Sequence, residues 1–158
     1  MKIIPTAKLV FLCIFPVILL FVTGCKREEG NCEKTVISTY NQDESHHNGQ
    51  NCMDCHYDGG DGEGCFNTAG SVYEENLTTP LINATVRLYT QPNGAGDLKA
   101  TIEVDAKGNF FNTDVIYGAT LYPAVSGLSG TTQYMAGFVT SGACNKCHGI
   151  TTDRIWAK

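Results

Sequence analysis

Ile82-Asn83-Ala84-Thr85-Val86-Arg87-Leu88-Tyr89 alternates apolar and polar side chains over its whole length. Leu98-Lys99-Ala100-Thr101-Ile102-Glu103-Val104-Asp105 repeats the pattern after the turn-forming Pro92-Asn93-Gly94-Ala95-Gly96. Successive side chains of a strand point to opposite faces, so a period of two predicts strands with one buried face. Ile82, Ala84, Val86 and Leu88 would then face a core together with Leu98, Ala100, Ile102 and Val104. Further out, Asp105-Ala106-Lys107-Gly108-Asn109 makes a second turn leading into Phe110-Phe111. Ala69-Gly70-Ser71-Val72-Tyr73, Asp114-Val115-Ile116-Tyr117 and the run from Gln133 to Val139 also read as extended. No long helix is expected beyond the first two dozen residues. Short strands at close spacing predict a mainly β fold, a small antiparallel β-sandwich over 67–140.

The strand segment is bracketed by two copies of one pentapeptide, Cys52-Met53-Asp54-Cys55-His56 and Cys144-Asn145-Lys146-Cys147-His148. Cys-x-x-Cys-His is the attachment pattern of c-type haem. The spacing has a chemical reason: each thiol can form a thioether to one of two porphyrin vinyl groups, and the next residue then holds an imidazole beneath the iron. The sequence thus predicts two haem c groups on loop-borne segments, 46–66 and 141–158. Cys52, Cys55, Cys144 and Cys147 would hold the macrocycles, with His56 and His148 as proximal iron ligands. Zinc is the rival cofactor, but each four-coordinate site would need further ligands unless the two sites share them.

Two histidines remain, in Ser45-His46-His47-Asn48-Gly49 just before the first motif. With the proximal pair they complete the count for two bis-His irons. The plainer alternative is a solvated turn at Asn48-Gly49. His47 stands nearer to the cysteines than His46, and the pairing of each with an iron stays open. Met135 is a weaker distal candidate, since methionine opposite histidine raises the reduction potential; packing on a strand is the competing role. Met53, between two thioether cysteines, is poorly placed to ligate.

At the N-terminus, Lys2 and Lys8 precede an apolar run from Leu9 to Val22 that Pro16 interrupts. The run has fourteen residues, short of the roughly 20 that span a bilayer, and reads as a secretory signal over 1–24 rather than a retained anchor. Val22-Thr23-Gly24-Cys25 resembles a bacterial lipobox. The resemblance implies that Cys25 becomes the acylated first residue, that 25–45 serves as a tether, and that the protein sits lipid-anchored in the bacterial envelope. Lys26-Arg27-Glu28-Glu29 also resembles the surface-export signal of Bacteroidetes lipoproteins.

Eight cysteines are present. Cys13 leaves with the signal, Cys25 takes lipid and four take haem, so Cys32 and Cys65 remain. An exported compartment is oxidising, which favours a disulfide between them; free thiols or a further metal site are the alternatives. The Gly- and Asp-rich loop 58–64 lacks the ligand order of a calcium-binding EF-hand and reads as an acidic turn. From residue 25 onward nine basic residues face sixteen acidic ones, a net charge of −7. Nucleic acid is not an expected partner, because it calls for clustered Lys and Arg. Basic redox proteins, or partners docking at an apolar haem edge, are the expected ones.

Ala69-Gly70-Ser71-Val72-Tyr73, Ala84-Thr85-Val86-Arg87-Leu88 and Asp105-Ala106-Lys107-Gly108-Asn109-Phe110 are similar in kind and order to motifs of carboxypeptidase-regulatory-like, transthyretin-type sandwiches. That resemblance covers about half of the mature chain and implies a fold rather than an activity. As a whole the chain resembles a small dihaem cytochrome c lipoprotein with a sandwich between its attachment sites. The expected function is electron transfer between envelope partners. Two alternatives are a peroxidase-like haem enzyme with one open distal site, and a redox-sensing binding module built on the sandwich.

Overall fold

The computed structural model describes residues 32–116 and 120–158. The signal segment, Cys25, the first part of the tether and Tyr117 lie outside the described residues. Eight strands follow in order: β1 (Thr68–Tyr73), β2 (Thr85–Tyr89), β3 (Leu98–Glu103), β4 (Asn109–Asn112), β5 (Tyr122–Ser126), β6 (Thr132–Tyr134), β7 (Gly142–Ala143) and β8 (Ile155–Trp156). The helical content of the described residues is three single 3-10 turns, at Cys52–Asp54, Pro92–Gly94 and Cys144–Lys146. The protein is mainly β.

Two sheets share one apolar core. The first places β1 between β4 on one side and β7 and β8 on the other. The second runs β3-β2-β5-β6 and is antiparallel throughout. In the first sheet β4 is antiparallel to β1, whereas β7 and β8 both run parallel to it. A wholly antiparallel arrangement was expected, and this edge departs from it. The chain after residue 140 does not merely flank the sheets: it supplies two short strands to one of them.

The core joins Val72 and Phe110 of the first sheet to Val86, Leu88, Ile102 and Val125 of the second, with Ala84, Val104, Leu121 and Ala157. Burying each larger aliphatic or aromatic side chain contributes about 1.5–3 kcal/mol. The alternation in β2 and β3 holds at its centre and fails at its ends. Ile82 is 44% exposed and Leu98 50% exposed. Asn83 adopts φ +57°, which breaks the extended run just before β2, and Leu98 opens an edge strand with no neighbour beyond it in its sheet. Asp114 to Ile116 form no strand, and Val115 is 76% exposed. The extended run from Gln133 stops at Tyr134, bends at Ala136-Gly137, and returns only as an isolated Val139–Leu121 bridge.

The expected tether is also partly structured. Ser38 is buried, its N–H donates to Phe111 O at 2.9 Å, and Thr113 N–H donates to Val36 O at 3.0 Å. Residues 36–38 therefore lie along β4 and cover its outer edge, with Ile37 bridged to Asn112.

Every residue of β1 is buried. Val72 contributes to the core, while Ser71 and Tyr73, on the opposite face, lie under the chain that leads into the first Cys-x-x-Cys-His segment. Gly49 N–H donates to Ser71 Oγ at 2.8 Å, and a Cβ on Gly49 would fall 2.6 Å from the Tyr73 hydroxyl. Phe110 and Phe111 split in the same way: Phe110 enters the core, and Phe111 stacks at 4.8 Å on Phe66, outside it.

Candidate functional site

The two pentapeptides adopt the same local fold. Each begins with a 3-10 turn, over Cys52–Asp54 and Cys144–Lys146. In each the histidine N–H donates to the first cysteine's carbonyl at 3.0 Å, His56 to Cys52 and His148 to Cys144. In each, histidine Nδ1 meets a downstream backbone carbonyl: Glu63 O at 2.8 Å for His56, and Asp153 O at 2.7 Å for His148. A carbonyl oxygen only accepts, so Nδ1 carries a proton, and in the neutral ring the lone pair is on Nε2. Two unrelated loops thus produce one tautomer. An acceptor bonded to one ring nitrogen is the usual way to orient a metal-binding imidazole.

The loops that supply those carbonyls are built for it. Gly62 N–H donates to Cys55 O and Phe66 N–H to His56 O, both at 3.0 Å, which folds the 58–64 loop back over the motif. A Cβ on Gly62 would lie 2.7 Å from the His56 ring, so that position requires the missing side chain. Phe66 then stacks on His56 at 3.9 Å, only 7° from parallel. In the second motif Thr151 and Thr152 N–H groups both donate to Cys147 O, and Gly149 N–H to Thr152 O.

A buried polar network ties the motifs to each other through β1. Asn145, inside the second motif, is 2% exposed. Its Nδ2 donates to Gln50 O at 2.8 Å and to Ser71 Oγ at 3.0 Å, and its Oδ1 accepts from Ser71 N–H at 3.1 Å. Ser71 Oγ donates to Asn109 Oδ1 at 2.6 Å, and Asn48 Nδ2 donates to the same oxygen at 3.0 Å. Asn109 Nδ2 donates onward to Ser45 Oγ at 2.9 Å. Gln50 is two residues from Cys52, so this network brings the two thiol-bearing turns side by side although 92 positions separate His56 from His148.

All four motif cysteines are free thiols, Cys55 and Cys147 exposed, Cys52 and Cys144 half-buried. Burial pushes the Cys144 thiol up to about 12, with Cys52 nearby adding to the rise. Burial likewise raises Cys52, and Asp105 contributes. Cys32 and Cys65 form a disulfide with Cα atoms 4.8 Å apart, closing a 33-residue separation around the first motif. Lys34 and Glu63 pair beside it. Among the described residues no group of three or more His, Cys, Asp or Glu side chains is arranged to hold a metal ion. The donors of each motif are therefore spread along a turn rather than converged on a point.

Of the remaining candidates, His46 lies near the first motif, with ring centres of His46 and His56 6.0 Å apart. His47 packs edge-on against His46 at 4.9 Å. Met135 is half-buried just beyond β6 in the second sheet, its N–H donating to Pro123 O at 3.0 Å; the motif turns pack on the first sheet. Exposed apolar side chains accompany both motifs: Tyr57, 51% exposed, follows His56, and Ile150, 72% exposed, follows His148 closely. Sequence reasoning missed Asn145, Ser71 and Asn109, and it missed the carbonyls of Glu63 and Asp153. Polar residues at strand and motif positions carry no periodic signal, and a carbonyl is common to every residue.

No family model, curated protein or solved structure matches the chain. Among the described residues no helix is long and apolar enough to cross a membrane.

Proposed function

We propose that this chain is a lipid-anchored dihaem c-type cytochrome that carries electrons between redox partners of the bacterial envelope. The observation that carries the reading is the identity of the two motif geometries: same turn, same histidine tautomer, same thiol pair, from loops of unlike sequence. The donor set fits haem rather than a bare ion. Four free thiols stand ready for thioether bonds, two imidazoles have Nδ1 engaged by a carbonyl and Nε2 left for a metal, and exposed apolar residues border both turns. Structural zinc would need four converging ligands.

Bound haem would supply reversible one-electron exchange at iron. This chain's own residues do the rest. Cys52, Cys55, Cys144 and Cys147 hold the macrocycles covalently. Glu63 O and Asp153 O keep the His56 and His148 protons on Nδ1, strengthening each ring as a ligand. Asn145 and Ser71 hold the two attachment turns side by side on β1. In this reading the two sheets are the layers of a transthyretin-type sandwich, and the motifs are built onto its first sheet. Lipid on Cys25 would hold the carrier at a membrane, and the net charge of −7 over residues 25–158 favours basic partners.

The test is the full chain expressed in a host with cytochrome c maturation machinery. The expected result is a Soret band, a pyridine haemochrome count of two, and a mass raised by two tetrapyrroles. A colourless product of unmodified mass from such a host would refute the proposal.

A further inference from the structure

We propose that His46, rather than its neighbour His47, is the second axial ligand of the first motif's iron, paired across that haem with His56. The inference rests on the haem reading above and goes further by assigning a ligand to an iron.

The ring centres of His46 and His56 are 6.0 Å apart with their planes inclined by 31°. Two imidazoles bound on opposite sides of one metal place their ring centres roughly 6 Å apart, from two metal–nitrogen bonds of about 2 Å and about 1 Å from each nitrogen to its ring centre. The measured spacing matches that demand. It is too wide for a stacked pair of the kind His56 makes with Phe66 at 3.9 Å.

The His56 ring and the backbone that carries His46 are both held by the fold alone. His56 is fixed by Glu63 O on Nδ1 and by Phe66 on one face. The backbone of His46 is held through Asn109, whose Nδ2 donates to Ser45 Oγ at 2.9 Å and to His46 O at 3.4 Å. Asn48 Nδ2 secures the far side of the same segment on Lys107 O and Asn109 Oδ1.

His47 occupies the corner between these anchors. Its φ of +52° is left-handed, and its carbonyl accepts from Gln50 N–H at 3.0 Å to close the turn. That corner sets His46 toward His56, while His47 meets His46 edge-on at an interplanar angle of 89°. The residue nearer in sequence to the cysteines is thus the turn residue, and the more distant one is the ligand.

The experiment uses the full haem-loaded chain. His46→Ala and His47→Ala are compared by electron paramagnetic resonance and by carbon monoxide binding to the reduced protein. His46→Ala should convert one of two haems to a high-spin, carbon monoxide-binding form, and His47→Ala should leave the wild-type spectrum. His46→Met, which preserves a ligand atom, should remain low-spin and raise one reduction potential. That potential should belong to the same haem that His56→Met perturbs. An unchanged His46→Ala spectrum, a change produced by His47→Ala instead, or a His46→Met shift on the other haem would each overturn the assignment. Failure of the wild-type chain to take up haem would strike the electron-carrier reading, which separates the two outcomes.

Discussion

At the scale of single residues, the two thiols of the second motif show how position sets reactivity. Cys147 is exposed, whereas Cys144 packs against the core and has its thiol pushed up to about 12 by burial. The reacting species toward an alkylating agent is the thiolate. Against the ordinary value of 9.0, the Cys144 thiolate at pH 8 is scarcer by about three decades. In the haem-free chain with its disulfide intact, iodoacetamide at pH 8 should therefore label Cys147 and spare Cys144. Labelling of Cys144 should climb about tenfold per pH unit toward 12, as read by peptide mass spectrometry; equal labelling at pH 8 would contradict the burial argument. The sign for stability follows from the same shift. The folded chain keeps this proton longer than the unfolded one, so stability is intact below about 9 and declines as pH rises toward 12.

At the scale of elements, β1 is the strand on which everything converges, and Gly70 is where the convergence is tightest. A Cβ there would lie 2.7 Å from the Phe110 ring and 3.0 Å from Cys144 Cβ. Gly70→Ala should cost about 1–3 kcal/mol through overpacking, seen as a lower urea midpoint of the haem-free chain, with wild-type behaviour counting against this close approach. Such contacts explain what the sequence could and could not disclose. Val86, Leu88, Ile102 and Val104 were legible because strand periodicity is a local property, written within five or six consecutive residues. Ile82 and Leu98 followed the same pattern and were misplaced, since the left-handed turn at Asn83 and an open sheet edge override it. β7 and β8 have two residues each, too few to show any period, and their parallel pairing depends on β1, 74 and 83 positions away. The motif residues were legible because their spacing is chemical. The tautomer-fixing carbonyls were not, because they depend on how the 58–64 and 149–153 loops fold back.

At the scale of the molecule, one side chain links the two ends of the described chain. Asn145 Nδ2 and Gln50 O are 95 positions apart in sequence and 2.8 Å apart in space. This bond joins the two motif segments into one unit mounted on β1, and the Cys32–Cys65 disulfide closes the chain around the first of them. Shortening Asn145 to alanine would leave Gln50 O and Ser71 N–H without the partner each has now. Ser71 is buried, and an unsatisfied buried polar group costs about 1–3 kcal/mol, so Asn145→Ala should lose about 1–3 kcal/mol of unfolding free energy in urea. Asn145→Asp offers a sharper test. Its carboxylate could still accept from Ser71 N–H but could not donate to Gln50 O, and it would carry a buried charge. Only the protonated acid can donate, so the folded state should hold that proton more tightly than the ordinary carboxyl value of about 3.9. The defect of Asn145→Asp relative to wild type should then be largest at neutral pH and shrink as the pH falls toward 4. A defect independent of pH would mean that Asn145 fills space at the junction without bridging the two motifs through its amide.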